Sequence, residues 1–283
     1  MSKLTLPKER DYGWELKPTS STYFGQIKNQ SGQNCVVLEH SMLRSVTIEM
    51  IYWWFQHFPS MQVTLDDIPG YEGQKVPAYF LWHPYDHVSA RLSGKLGPNN
   101  TSAQGAKIHI QEAMYTKKYG LKYPVDDALE IFYHDKDGWA MGKKIPFLGL
   151  MMVLRISFKD IYEGDTIKGV HYHYEIVVGT YKKNLIAKAI NKKLSGKFGP
   201  DFLDAWHTHN TIEVGVFENF LPAIYAQRDR LNDIHYSKAM NAMKESPAKL
   251  QGFNKDLFEE RMRGFEQSTN AFEYLQFDKG SFL

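Results

Sequence analysis

Apolar and polar positions alternate with different periods along this 283-residue chain, and each change of period predicts a new element. In DFLDAWHTHNTIEVGVFENF, residues 201–220, Phe202, Trp206, Val216 and Phe220 recur at helical spacing. His209 and Glu213 fall on the same stripe, and at roughly 100° per residue the six positions stay within about 80° of arc, one core-facing surface. The pattern predicts a helix that must break or bend at Pro222. SVTIEMIYWWFQHFP predicts another, capped by Thr47, with Glu49 complementing its dipole, Ile48, Ile51, Tyr52 and Phe55 on its buried face and Pro59 after its end. Strict alternation in AKIHIQEAM predicts a strand with Ile108, Ile110, Glu112 and Met114 on one face and Lys107, His109 and Gln111 on the other.

KVPAYFLWH, LEIFYH, FLGLMMVLRISF and GVHYHYEIVVGTY predict further strands, and Asp137-Gly138 and Glu163-Gly164 suit turns between them. LIAKAINKKL predicts a short basic helix ended by Gly196. Residues 1 to about 40 show no sustained periodicity and are read as an irregular arm. The layout is α+β, a run of antiparallel strands set between helices. It divides into an N-terminal arm and helix (1–60), a central unit (61–226) and a charged helical extension (227–283), where FNKDLFEERMRGFEQ is the clearest helix. That extension either covers a pocket mouth or forms a homodimer contact, and its composition does not choose.

The bulk numbers narrow the partners. A net charge of +2 argues against nucleic acid, and Lys188, Lys192 and Lys193 read as a solvated helix face. Cys35 is the one cysteine, so no internal disulfide and no thiolate metal cluster can form; this fits a reducing compartment. The first residues carry no apolar leader, and the longest greasy run, Phe147 to Leu154, is far too short to span a membrane. A cytoplasmic protein without a membrane or nucleic-acid partner is expected.

The chemistry lies in misplaced acceptors. His209 and Glu213 stand one turn apart on an apolar face, and Glu112 stands in phase with isoleucines on a strand; each is costly to bury alone. A divalent metal would satisfy all three, since His and Glu at i and i+4 can bind one ion. A buried His–Glu hydrogen bond, or a carboxylate paired with an interior cation, are the plainer alternatives. WHPYDHV offers two further imidazoles, His83 and His87, with Asp86 able to orient one through its second nitrogen.

Together YFLWHPYDHV, KIHIQEAM and HNTIEVGVFENFLP resemble three signature segments of the diacetylphloroglucinol hydrolase and phloretin hydrolase family, with WWF at 53–55 in support. The resemblance spans roughly residues 40–226. It implies a zinc-dependent hydrolase that cleaves the carbon–carbon bond between an aromatic ring and an acyl group of a small aromatic ketone. It also implies a Bet v 1-like helix-grip fold. By motif, the Zn2+ ligands fall on His87, Glu112, His209 and Glu213. The resemblance further implies catalytic or positioning roles for Tyr79, His83, Asp86, His173 and Tyr174, with His171 and Arg155 near places of family residues. A family Asn after the zinc His has no counterpart, since Val88, Ser89 and Ala90 stand there. The competing expectation is a non-catalytic carrier of apolar ligands between sheet and helix.

Overall fold

The computed structural model describes residues 4–5, 9–240 and 255–275. Two strands, β1 (Thr22–Lys28) and β2 (Asn34–His40), lead through the two-residue β3 (Leu43–Arg44) into helix α1 (Ile48–His57). Next come β4 (Gln62–Leu65), β5 (Gln74–Pro77), a short helix α2 (Ala78–Trp82), β6 (His87–Gly94), β7 (Ala106–Ala113) and one helical turn, α3 (Thr116–Tyr119). Four long strands follow: β8 (Pro124–Asp135), β9 (Gly138–Ile145), β10 (Gly149–Glu163) and β11 (Thr166–Val178). Helices α4 (Leu185–Ser195), α5 (Pro200–Gly215) and α6 (Phe217–Tyr225), strand β12 (Ile234–Tyr236) and helices α7 (Lys255–Gln267) and α8 (Ala271–Tyr274) complete the order.

One nine-stranded antiparallel sheet runs β1-β2-β11-β10-β9-β8-β7-β6, with β3 added on β11. A small second sheet has the order β12-β4-β5. The fold is therefore α+β, as the pattern of elements predicts. The inner face of the large sheet packs on α1, α5 and α6: Trp54 meets Phe220 at 5.1 Å and Phe217 at 5.8 Å between ring centroids. The outer face carries a separate core, where Cys35, Val37, Val153 and Val177 lie under Phe265, Phe272 and Leu275 of the C-terminal helices.

The cap of α1 is as expected, with Thr47 Oγ1 accepting from Met50 N at 3.3 Å. Three expectations are corrected. Residues 22–40 are two strands of the main sheet rather than an irregular arm; β2 is buried on both faces throughout, so NCVVLEH shows no alternation to read. KVPAYFLWH is a strand only to Pro77, after which Ala78–Trp82 turns helical, a short unbroken apolar run being equally compatible with either state. The long helix is interrupted at Val216, not at Pro222, which sits inside α6. There Asn219 N donates to Val216 O, and buried Lys17 and Arg44 both pair with Glu218 in the first turn of α6. The clearest helix of the extension is α7, packed on β1 and β2; residues 241–254 and 276–283 of the extension lie outside the described residues.

Candidate metal centre

Strand register and helix spacing bring the donor atoms of His87, Glu112 and His209 together, with the Glu213 carboxylate beside both imidazoles. His87 opens β6 directly opposite Glu112 of β7, and a bulge between His87 and Ser89 re-aims the strand there. Cross-strand partners share a face, so both side chains point toward α5, where His209 and Glu213 stand one turn apart. His87 Nε2 lies 3.4 Å from Glu112 Oε2 and 3.4 Å from Glu213 Oε1. His209 Nε2 lies 3.9 Å from Glu112 Oε2 and 3.9 Å from Glu213 Oε2. Four donors around a zinc-sized ion, at about 2.0–2.1 Å each, would be spaced about 3.4 Å apart along a tetrahedron's edges.

A second layer fixes which nitrogen of each ring faces the centre. His87 Nδ1 donates to the Tyr79 carbonyl at 2.9 Å, which leaves Nε2 as the free lone pair. That Nε2 is buried without a hydrogen-bond partner. His209 Nδ1 donates to Asp86 Oδ2 at 2.8 Å, so its Nε2 also faces inward. Asp86 is held in turn by Tyr115 N, Thr116 N and the Thr116 hydroxyl. Burial would raise its pKa, but His83 and His209 hold it far below the ordinary carboxylate range.

His83, Asp86 and His209 form a second group with metal-type spacing. Its Asp86 is held by backbone and hydroxyl donors and His83 Nδ1 accepts from the backbone N–H groups of Tyr85 and Asp86, while His83 Nε2, 3.3 Å from Asp86 Oδ2, is buried without a hydrogen-bond partner. His83 stacks on His209 with centroids 4.6 Å apart, behind the metal-facing edge. The orphaned nitrogen of His87, the fixed tautomers and the donor spacing fit a divalent cation between His87, Glu112, His209 and Glu213. Burial, aided by the neighbouring His209 and opposed by Glu112, pushes the His87 imidazole down to about 3, keeping it the neutral ring that a metal requires. Burial pushes Glu213 up to about 7.

A chamber of about 50 Å³ lies against Glu112, His209, Asn210 and Glu213. A wider cleft of about 930 Å³ shares Glu112, Tyr174 and Trp206 with it and is walled by Met141, Met152, Leu154 and Phe198. Tyr79 closes the inner end; its hydroxyl donates to Glu112 Oε2 at 2.7 Å and its ring stacks on His87 at 3.8 Å. Tyr174 lines both spaces. His173 does not join them. Strand alternation sends it to the outer face, where it contacts Glu39 and Glu175, and His171 contacts Glu39 beside it. Arg155 alternates outward between Leu154 and Ile156, both of which line the chamber. Two chamber residues escaped the sequence reading. Tyr172 is fully buried with an unpartnered hydroxyl, and Asn210 bonds both Glu213 and His40. Two-residue alternation in VHYHYE points to Tyr172 as soon as Tyr174 is chosen.

A buried two-His, two-carboxylate cluster at the closed end of an apolar cleft defines a metal-type site for a small molecule. Residues 15–134 match the family model described as the DAPG hydrolase PhiG domain. This match bears out the resemblance to the diacetylphloroglucinol hydrolase family over those residues. It takes in Tyr79, His83, Asp86, His87 and Glu112 and stops before α5. Among solved structures the chain is similar to a protein of unknown function, SA2116, from Staphylococcus aureus, at 13% identity and a TM-score of 0.32, covering 66% of this chain and 95% of that one. Comparison with curated proteins gives no match. Among the described residues no helix is long and apolar enough to cross a membrane.

Proposed function

We propose that this protein is a zinc-dependent hydrolase that cleaves the carbon–carbon bond between a phloroglucinol-type ring and its acyl group, with His87, Glu112, His209 and Glu213 as the zinc ligands. The observation that carries the reading is the orphaned His87 Nε2 facing two carboxylates across 3.4 Å. When bound, zinc polarises an acyl carbonyl and makes water a nucleophile near neutral pH. The long antiparallel sheet lying along α5 and α6 supports a helix-grip arrangement.

The residues around the centre supply positioning and proton transfer. Water adds its oxygen to the acyl carbon, the acyl–ring bond breaks, and the ring carbon takes a proton, giving a carboxylic acid and the deacylated ring. The Glu213 carboxylate would loosen from the metal and take the water's proton. Tyr79, hydrogen-bonded to Glu112, holds a proton beside the reacting carbon. Tyr172 and Asn210 offer hydrogen bonds to ring hydroxyls, while Trp206, Leu154 and Met141 exclude water. His83 and Asp86 act through His209 as positioning residues, and His173 has no part in the reaction.

The test is a panel of acylated phloroglucinols, with released carboxylic acid and deacylated ring measured together. Equimolar release, abolished by a chelator and restored by zinc, is expected. Tight binding of the panel with no turnover in zinc-loaded protein would instead make it a carrier.

A further inference from the structure

Three large apolar side chains stand in solvent on one edge of the molecule. Phe147 is 95% exposed at the tip of the β9–β10 turn, and Leu185 and Ile186 are 83% and 68% exposed in the first turn of α4. The two segments are neighbours: Thr180 Oγ1 donates to Leu148 O at 3.3 Å, and Lys182 Nζ contacts the Phe147 carbonyl. Ile145 and Pro146 are exposed beside Phe147. The ground around these tips is mainly basic, with Lys143 paired to Asp127 of the neighbouring strand. Residues 179–199 contain Lys182, Lys183, Lys188, Lys192, Lys193 and Lys197 and no acid, and Lys144 stands at the foot of the β9–β10 turn. A chain of net charge +2 thus concentrates positive charge at its apolar tips.

We propose that this edge docks on an anionic lipid surface, with Phe147, Leu185 and Ile186 entering the interface and the lysines of α4 lying over the headgroups. Aliphatic tips gain from burial among acyl chains, and lysines beside them gain from negative headgroups. Nucleic acid would reward the lysines and leave Leu185 and Ile186 in water. A symmetric second copy would set lysine against lysine. The contact is peripheral and needs no spanning segment. The far end of α4 reaches the cleft, whose wall includes Leu194, Lys197 and Phe198, so the docked edge and the cleft mouth share one helix. The proposal stands on this surface alone and is independent of the reaction.

Co-sedimentation of the full chain with vesicles of phosphatidylcholine, with and without phosphatidylserine, is the test. Binding to the anionic vesicles only, weakened by salt, is expected. L185S/I186S should lose at least tenfold in partitioning, and K188Q/K192Q roughly 25-fold at about fivefold per lysine. All four positions are exposed, so both variants should keep the wild-type melting temperature. Equal binding to both vesicle types, binding to neither, or variants that partition like the wild type would overturn the proposal. So would a solution dimer that L185S/I186S dissociates, or a single-stranded oligonucleotide bound equally well by wild type and L185S/I186S.

Discussion

Replacing Asp86 with Asn changes one atom and almost no volume, yet it should loosen the metal centre from behind. Asp86 Oδ1 accepts from Thr116 N at 2.9 Å and Thr116 Oγ1 at 2.6 Å, and Oδ2 accepts from Tyr115 N at 2.7 Å and His209 Nδ1 at 2.8 Å. Every partner is a donor, so an amide NH₂ in either orientation meets at least one backbone N–H head-on. If the NH₂ takes the Oδ2 position, it donates to His209 Nδ1, the ring proton moves to Nε2, and the lone pair facing the centre is lost. Outer partners of metal-binding histidines contribute 10–100-fold to metal affinity, so Asp86→Asn should weaken zinc binding by about 1.4–2.7 kcal/mol. An unpaired buried donor also costs about 1–3 kcal/mol of stability in the metal-free protein. Competition against a chromophoric chelator measures the first quantity, and urea unfolding in chelator measures the second. Zinc affinity within twofold of wild type would refute the claim that Asp86 sets the His209 tautomer, whatever happens to stability.

Glu213→Gln keeps the shape of α5 but removes a charged zinc ligand and the proton acceptor together, so zinc affinity should fall and kcat at saturating zinc should drop at least about 100-fold; wild-type affinity and turnover would contradict both roles. Met152→Trp narrows only the outer cleft, so KM should rise roughly tenfold for the bulkiest accepted acyl substrate while an acetyl substrate changes little. Equal effects on both would mean that the acyl arm lies elsewhere. The outer face gives a pH prediction. Burial alone would lower His173, but Glu175 and Glu39 outweigh it and raise the imidazole to about 9, while His171 and His173 pull Glu39, which burial would raise, down to about 2. The His173 contribution is complete below its unfolded value near 6.5 and is lost as pH rises through about 9. The Glu39 contribution is complete above about 4.5 and is lost as pH falls through about 2. Arg261 of α7 pairs with Glu175 throughout, so the melting temperature should fall from pH 6.5 to 9, and His173→Gln should flatten that fall. An unchanged slope would show that His173 is not charged in the folded protein.

What was legible in the chain followed from elements with one wet face. AKIHIQEAM alternates because one face of β7 meets the core and the other meets solvent, and Glu112 stood out against that rhythm. His209 and Glu213 stood out on α5 for the same reason. β2 was invisible because α7 covers the face that would otherwise be polar, and that cover lies more than 200 residues downstream. The turn holding His83, Asp86 and His87 could be named as a source of ligands. Its division of labour depends on the bulge after His87 and on the distant backbone of Tyr115 and Thr116, which no local pattern encodes. The family resemblance points to His173, whereas strand alternation puts Tyr172 and Tyr174 inside.

The central claim is that four side chains from β6, β7 and α5 share one cation. Elemental analysis of chelator-stripped protein reloaded with zinc and dialysed tests it most directly, with His87→Ala, Glu112→Ala and His209→Ala run alongside. One tightly held zinc per wild-type chain, and less than a tenth of that in each variant that keeps the wild-type far-ultraviolet dichroism, is the predicted result. A wild-type chain that retains no zinc, or folded variants that retain a full equivalent, would contradict it.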